Sequence, residues 1–105
     1  MTTYFFVAAS EKFLTVEEPL EEILKERMRN YKENNKEKDF WLLKNPSFLK
    51  TSKFVDLTAK IPSTPAAVLS TDKKFITFLK LRLEFVAVGE FECPSAEITD
   101  PLKVE

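Results

Sequence analysis

The sequence predicts a ferredoxin-like split βαβ domain of the α+β class, on three observations. Four short apolar runs, Thr3–Ala9, Asp39–Leu43, Ala66–Ser70 and Phe85–Cys93, read as strands. Two longer segments with apolar residues at helical spacing separate the first run from the second and the third from the fourth. The 105 residues suffice for one core and not for two. The order β-α-β-β-α-β then gives a four-stranded antiparallel sheet with the helices mainly on one face and a short helical insert between strands 2 and 3. Residues 1–93 make the single domain. Residues 94–105, with Pro94, Pro101 and little apolar content, are expected to form a loosely ordered tail.

Thr3–Ala9 carries no charge and should be buried. Thr15 and Glu18 have capping-box spacing, Pro19 falls in the first turn, and Glu17, Glu18, Glu21 and Glu22 put negative charge at the positive end of the helix dipole, so a helix should start near Val16. Its apolar stripe is Leu20, Ile23, Leu24, Met28 and Tyr31, and Asn34 and Asn35 suit its exit. Asn45-Pro46 closes the second strand. Between Ser47 and Pro65, Phe54, Leu57 and Ile61 lie at helical spacing behind Thr51 and Ser52, which predicts one short helix ended by Pro62 and Pro65. Thr71 or Asp72 caps the second long helix, which runs to about Leu83.

Composition removes several chemistries. Without histidine, nucleophilic triads and the usual zinc, haem and non-haem iron sites lose their commonest residue. Cys93 is alone, so neither an internal disulfide nor a CxxC pair can form. The single glycine, Gly89, rules out Gly-rich phosphate loops. A formal charge of −1 and the absence of an RNP-type signature argue against nucleic acid as a partner. No apolar run approaches a membrane span, so direct membrane insertion is not expected. The glutamates at the first helix start read as a solvated, dipole-matched N-terminus rather than a metal site. Asp39 and Glu84 have no nucleophile or oxyanion hole placed beside them, which leaves an enzyme without support.

Two features break the pattern of a solvated domain. The first strand, Phe40–Leu43, Ala66–Leu69 and Phe85–Val88 are apolar on both parities, although a sheet with helices on one side should alternate to polar on the other. The open face is therefore expected to be covered by another protein, by a second copy of the chain in a homodimer, or by the Ser47–Pro65 segment and the tail. In the second helix, Phe75, Ile76, Phe78, Leu79, Leu81 and Leu83 span a broad arc with Arg82 near its middle. A guanidinium so placed needs an acidic partner, for which Asp39 is the internal candidate, or else it anchors another protein. The competing reading is a late-helix arginine that snorkels at the helix C-terminus, and Arg27, between Leu24 and Met28, is read as snorkelling in the same way.

The stretches TTYFFVAASEKFL, EEPLEEILKERMRNY, KDFWLLKNPSFL, AAVLSTDKKFITFLKLRLEF and VGEFECPSAEITDPL resemble, in order and spacing, the small hypothetical-chloroplast-reading-frame family of oxygenic phototrophs, called Low Chlorophyll Accumulation A in plants. The resemblance implies an accessory subunit of the aerobic magnesium-protoporphyrin IX monomethyl ester cyclase of chlorophyll biosynthesis. It implies a non-catalytic protein without a cofactor of its own, whose partner is the separate di-iron catalytic subunit and, beyond it, other chlorophyll-biosynthesis enzymes. The location implied is cytoplasmic or stromal, with peripheral attachment to the thylakoid membrane through that partner. The family's important Asp-Phe pair and its second-helix arginine correspond to Asp39, Phe40 and Arg82, with Phe40 and Trp41 supplying apolar contact. A tetrapyrrole carrier, using the open apolar face and an arginine against a propionate, is the alternative.

Overall fold

The computed structural model describes every residue except Pro19. Four strands, β1 (Thr2–Ser10), β2 (Phe40–Lys44), β3 (Pro65–Ser70) and β4 (Ala87–Cys93), form one sheet in the order β2-β3-β1-β4, every neighbouring pair antiparallel. Helices α1 (Glu21–Glu33) and α3 (Lys73–Leu83) connect β1 to β2 and β3 to β4, while a short α2 (Val55–Ala59) lies within the β2–β3 connection. This is the α+β, split βαβ arrangement expected from the order of the runs.

Strand parity divides the core in two. Val7 and Ala9 of β1, Phe40 of β2 and Ala66 and Val68 of β3 face α1 and α3, where they meet Tyr31, Phe75, Ile76, Leu79 and Leu83. Phe6, Ala8, Leu43, Ala67, Leu69 and Phe91 face the other way and are covered by Phe48, Leu49 and Phe54 of the insert and by Ile98 of the tail. The second sheet face is thus covered by the chain's own residues, which explains apolar strands of both parities. The Phe6 ring lies 5.0 Å from both Phe48 and Phe54. A Cβ on Gly89 would come within 2.6 Å of that ring, so the one glycine serves close packing.

The insert consists of two 3₁₀ turns, Ser47–Lys50 and Ser52–Phe54, followed by α2, rather than one helix. The expectation of a loose tail is corrected as well. Ile98 is 5% exposed, Val104 forms a bridge with Pro46, and Ser47 N–H and Glu105 N–H donate to the Lys103 and Asn45 carbonyls. The first helix also starts later than expected. Ser10 Oγ accepts from Phe13 N–H at 3.1 Å and opens a π-helical turn, Phe13–Glu17, directly after β1. Thr15 donates its hydroxyl to the Glu11 carbonyl, so it does not cap, and α1 begins at Glu21. Pro19, expected in the first turn, lies outside the described residues. Asn35, at φ 53°, ends the segment as foreseen.

The helices leave β4 uncovered on their side of the sheet, where Val88, Glu90 and Glu92 face solvent. Phe85, expected to open β4, instead follows a tight turn: Glu84 adopts φ 61°, ψ −53°, and Phe85 N–H donates to the Leu83 carbonyl at 2.6 Å. This is a γ-turn with positive φ, a strained conformation for a residue with a Cβ. It stands Phe85 out of the domain.

Candidate functional site

Arg27, in the middle of α1, is placed by helical geometry one turn before Tyr31. Its Nη2 donates to Tyr31 Oη at 2.6 Å and to Asp72 Oδ2 at 2.9 Å, and it lies 4.0 Å from Asp39 Oδ1. Tyr31 Oη in turn donates to Asp39 Oδ1 at 2.8 Å. The guanidinium sits 3.8 Å from the centroid of the Phe75 ring and faces Tyr31 and Phe40 at 4.9 and 5.4 Å. A cation is held between two carboxylates and three aromatic rings, although its buried Nε has no hydrogen-bond partner among the described residues.

The same residues tie the helices to the sheet. Asp72 is the N-cap of α3, its Oδ1 accepting from Lys74 and Phe75 N–H, and Thr71 or Asp72 was the expected cap. The Asp39 carbonyl accepts from Thr71 N–H and from Ser70 Oγ. Burial opposes ionisation of Asp72, but the hydrogen bonds from Arg27 and from the Phe75 and Lys74 amides outweigh it and hold the carboxyl below its ordinary range. Burial, and then the hydrogen bond to Asp39, push the Tyr31 phenol above its ordinary value.

Of the four residues singled out from the sequence, Asp39 and Phe40 belong to this cluster. Phe40 is 2% exposed, edge-on to Tyr31 and Phe75, and it presents no surface to another molecule. Trp41, on the opposite parity, is half-buried with its ring 6.4 Å from Tyr4. Asp39 is not the partner of Arg82. Asp39 lies at the N-terminal end of α3, and Arg82 is ten residues beyond the cap, about 15 Å along the axis at the helical rise. The snorkelling reading of Arg27 is corrected too, because it is the arginine that Asp39 faces.

Arg82 is exposed and has neither hydrogen bond nor ion pair among the described residues. The broad arc read from the sequence is two stripes. Phe75, Ile76, Leu79 and Leu83 face the sheet, while Phe78 and Leu81, with Arg82 beside them, face outward. Phe78, Leu81 and Phe85 are 50%, 72% and 81% exposed. Sequence reading missed this outward stripe, whose signal is the four-then-three spacing of Lys74, Phe78 and Leu81. It missed the Arg27 cluster as well, whose signal is the i, i+4 pairing of Arg27 with Tyr31.

Phe85 also lines a cavity of about 560 Å³ at the end of the sheet where β1 finishes and β4 starts. Its floor is made by the small residues Ala8 and Ala9, its walls by Phe13, Leu57 and Ile61, and Lys60 and Glu17 are its charged residues. Among the described residues, no three histidine, cysteine, aspartate or glutamate side chains come together as a metal site, and no helix is long and apolar enough to cross a membrane.

The sequence profile of the family described as Ycf54 protein matches residues 2–93. The chain belongs to the Ycf54 family. A Ycf54-like protein of Synechocystis sp. (strain ATCC 27184 / PCC 6803 / Kazusa) is 53% identical over 102 residues, covering 97% of this chain and 77% of that protein. The chloroplastic YCF54 protein of Arabidopsis thaliana is 39% identical over 97 residues, covering 91% of this chain and 45% of that one. The X-ray structure of a Nostoc sp. PCC 7120 protein superposes with a TM-score of 0.95 at 53% identity, over 98% of this chain and 95% of that one. The Ycf54 structure from Synechocystis sp. PCC6803 superposes with a TM-score of 0.94 at 51% identity, over 99% and 97% of the two chains. Ycf54 is the reading-frame family that the sequence resembles, and its description names no catalytic activity.

Proposed function

We propose that this Ycf54 protein is a non-catalytic accessory subunit of the oxidative magnesium-protoporphyrin IX monomethyl ester cyclase, binding and supporting the di-iron catalytic subunit. The observation that carries the reading is Arg82, an exposed arginine with no hydrogen bond or ion pair among the described residues, set among the exposed Phe78, Leu81 and Phe85. Aromatic and arginine side chains clustered on an exposed patch are the composition of interface hot spots. Arg82 is the anchor in this reading. Asp39 and Phe40 act indirectly, by fixing α3 against α1 through the Arg27 cluster, and Trp41 is a secondary contact.

The test is co-purification from a chlorophyll-making cell with the chain as bait, beside an Arg82→Ala variant whose fold is checked by circular dichroism. Wild type should recover the catalytic subunit and the variant should lose it. Equal recovery by both removes the anchor role, and no recovery by either removes the accessory reading.

The cavity of about 560 Å³ favours one second reading, a tetrapyrrole carrier with Lys60 against a propionate. A porphyrin titration followed at the Soret band separates the two. The accessory reading expects no saturable shift, and a shift abolished by Lys60→Ala would put the carrier in its place.

A further inference from the structure

Helix α3 has two apolar faces, and only one of them is used by the domain. Phe75, Ile76, Leu79 and Leu83 pack on the sheet. Phe78, Leu81 and Arg82 occupy about 100° of arc on the solvent side at 100° per residue. Lys74, Phe78 and Leu81 follow one another at intervals of four and three, the spacing of a seam that receives another helix, and Phe85 stands out just beyond the helix end. At its upper end the seam reaches the cavity that Phe85 lines, and the strained turn at Glu84 is what stands Phe85 there. At its lower end Phe78 borders the groove between α1 and α3, beside Ile23 and Lys74. The track has a shaped concavity at either end, which suits the knobs of a helix better than the smooth surface of a bilayer.

Charge decides the chemistry of what lies on it. The helix carries Lys73, Lys74, Lys80 and Arg82 and no carboxylate, although the chain as a whole has one more acidic than basic residue. None of the four cations forms an ion pair among the described residues. Glu26 and Asp72 lie at the lower groove and Glu17 and Glu84 near the upper cavity, but along the helix itself the charges beside the apolar residues are all positive, which is complementary to an amphipathic helix with apolar residues at heptad spacing and carboxylates beside them.

We propose that the outward seam of α3, Lys74–Phe78–Leu81–Arg82–Phe85, docks an acidic amphipathic helix of the partner protein. This rests on the accessory-subunit reading for the partner's identity and adds the element by which it is held. The first arm is a ¹⁵N-detected titration of the full chain with a synthetic helical peptide bearing leucine at its a and d positions and glutamate beside them. Saturable shifts should be centred on residues 74–85 and should weaken at least about tenfold in Leu81→Glu. The same peptide with lysine in place of glutamate should not bind. No binding of the acidic peptide, equal binding of the basic one, or shifts at the seam only with anionic phosphatidylglycerol vesicles would each overturn the proposal, the last in favour of a lipid surface. In the second arm Leu81→Glu and Phe85→Ser are carried through the co-purification, and both should lose the catalytic subunit. Retention by both, with wild type bound, overturns the seam and spares the accessory reading. Failure of wild type to bind, with the peptide arm positive, overturns that reading and leaves the seam standing.

Discussion

Arg27 and Arg82 stand on the two helices that cover the same sheet face, and they differ in everything around the guanidinium. Arg27 lies between Asp72 and Asp39, donates to Tyr31 and stacks on Phe75. Arg82 is exposed, with the exposed Phe78 and Leu81 beside it. A charge whose partners are all inside the chain is part of what folds it. A charge with none, bordered by apolar side chains that folding left exposed, is available to another molecule. Removing the first should therefore cost stability, and removing the second should cost association.

The largest expected effect is that of Arg27→Ala, which leaves Asp72 and Asp39 facing each other near Tyr31 without their cation. Urea unfolding should show a loss of about 3 kcal/mol, and a loss below about 1 kcal/mol would deny the cluster its structural role. Arg27→Lys keeps the charge but gives up the planar stacking and the fork. It should lose about 1–2 kcal/mol, and equality with wild type would mean that charge alone suffices.

A smaller effect is expected from acid. Asp72 has a carboxyl held below its ordinary value of 3.8, so its ionised form favours the fold at neutral pH, and that contribution disappears as pH falls through the lowered value. Asp72→Asn keeps a capping side chain and removes the charge. The stability gap between wild type and this variant should be level from pH 6 to 8, amount to less than about 1 kcal/mol because the pair is partly solvated, and close below about pH 4. A gap that persists in acid would assign it to the cap instead. The smallest effect on folding is that of Arg82→Ala, within about 0.5 kcal/mol of wild type. A larger loss would mean that Arg82 has a structural partner and would erase the contrast between the two arginines.

The element order and most strand positions were legible in the sequence because they follow from local periodicity, and so was the Asp72 cap. What failed to read depends on pairings between distant residues. The start of α1 was misplaced because Thr15 bonds back to Glu11 while Ser10 receives the Phe13 amide. The insert has 3₁₀ turns, whose three-residue period does not register as an amphipathic helix. Nothing local announces that Ser47 will bond to Lys103, so the sequence offered cover of the second sheet face by the insert or the tail only as one alternative beside a partner or a second copy. For the candidate site, the sequence marked Asp39, Phe40 and Arg82 as anomalous, and the structure separates them. One apolar arc too wide for one sheet to cover was read as a single face, which put Arg82 inside it and drew Asp39 towards the wrong arginine.

The strip of β4 that the helices leave bare has a consequence for how the molecule lives among copies of itself. Its outer edge is unpaired along Ala87–Cys93, and such an edge is a template on which another strand can grow. Glu90 and Glu92 stand on that strand, and a second β4 laid antiparallel against it would bring glutamates close to glutamates. The repulsion opposes pairing of two β4 edges with each other, and it acts on strand partners while leaving the seam of α3 free to take a helix.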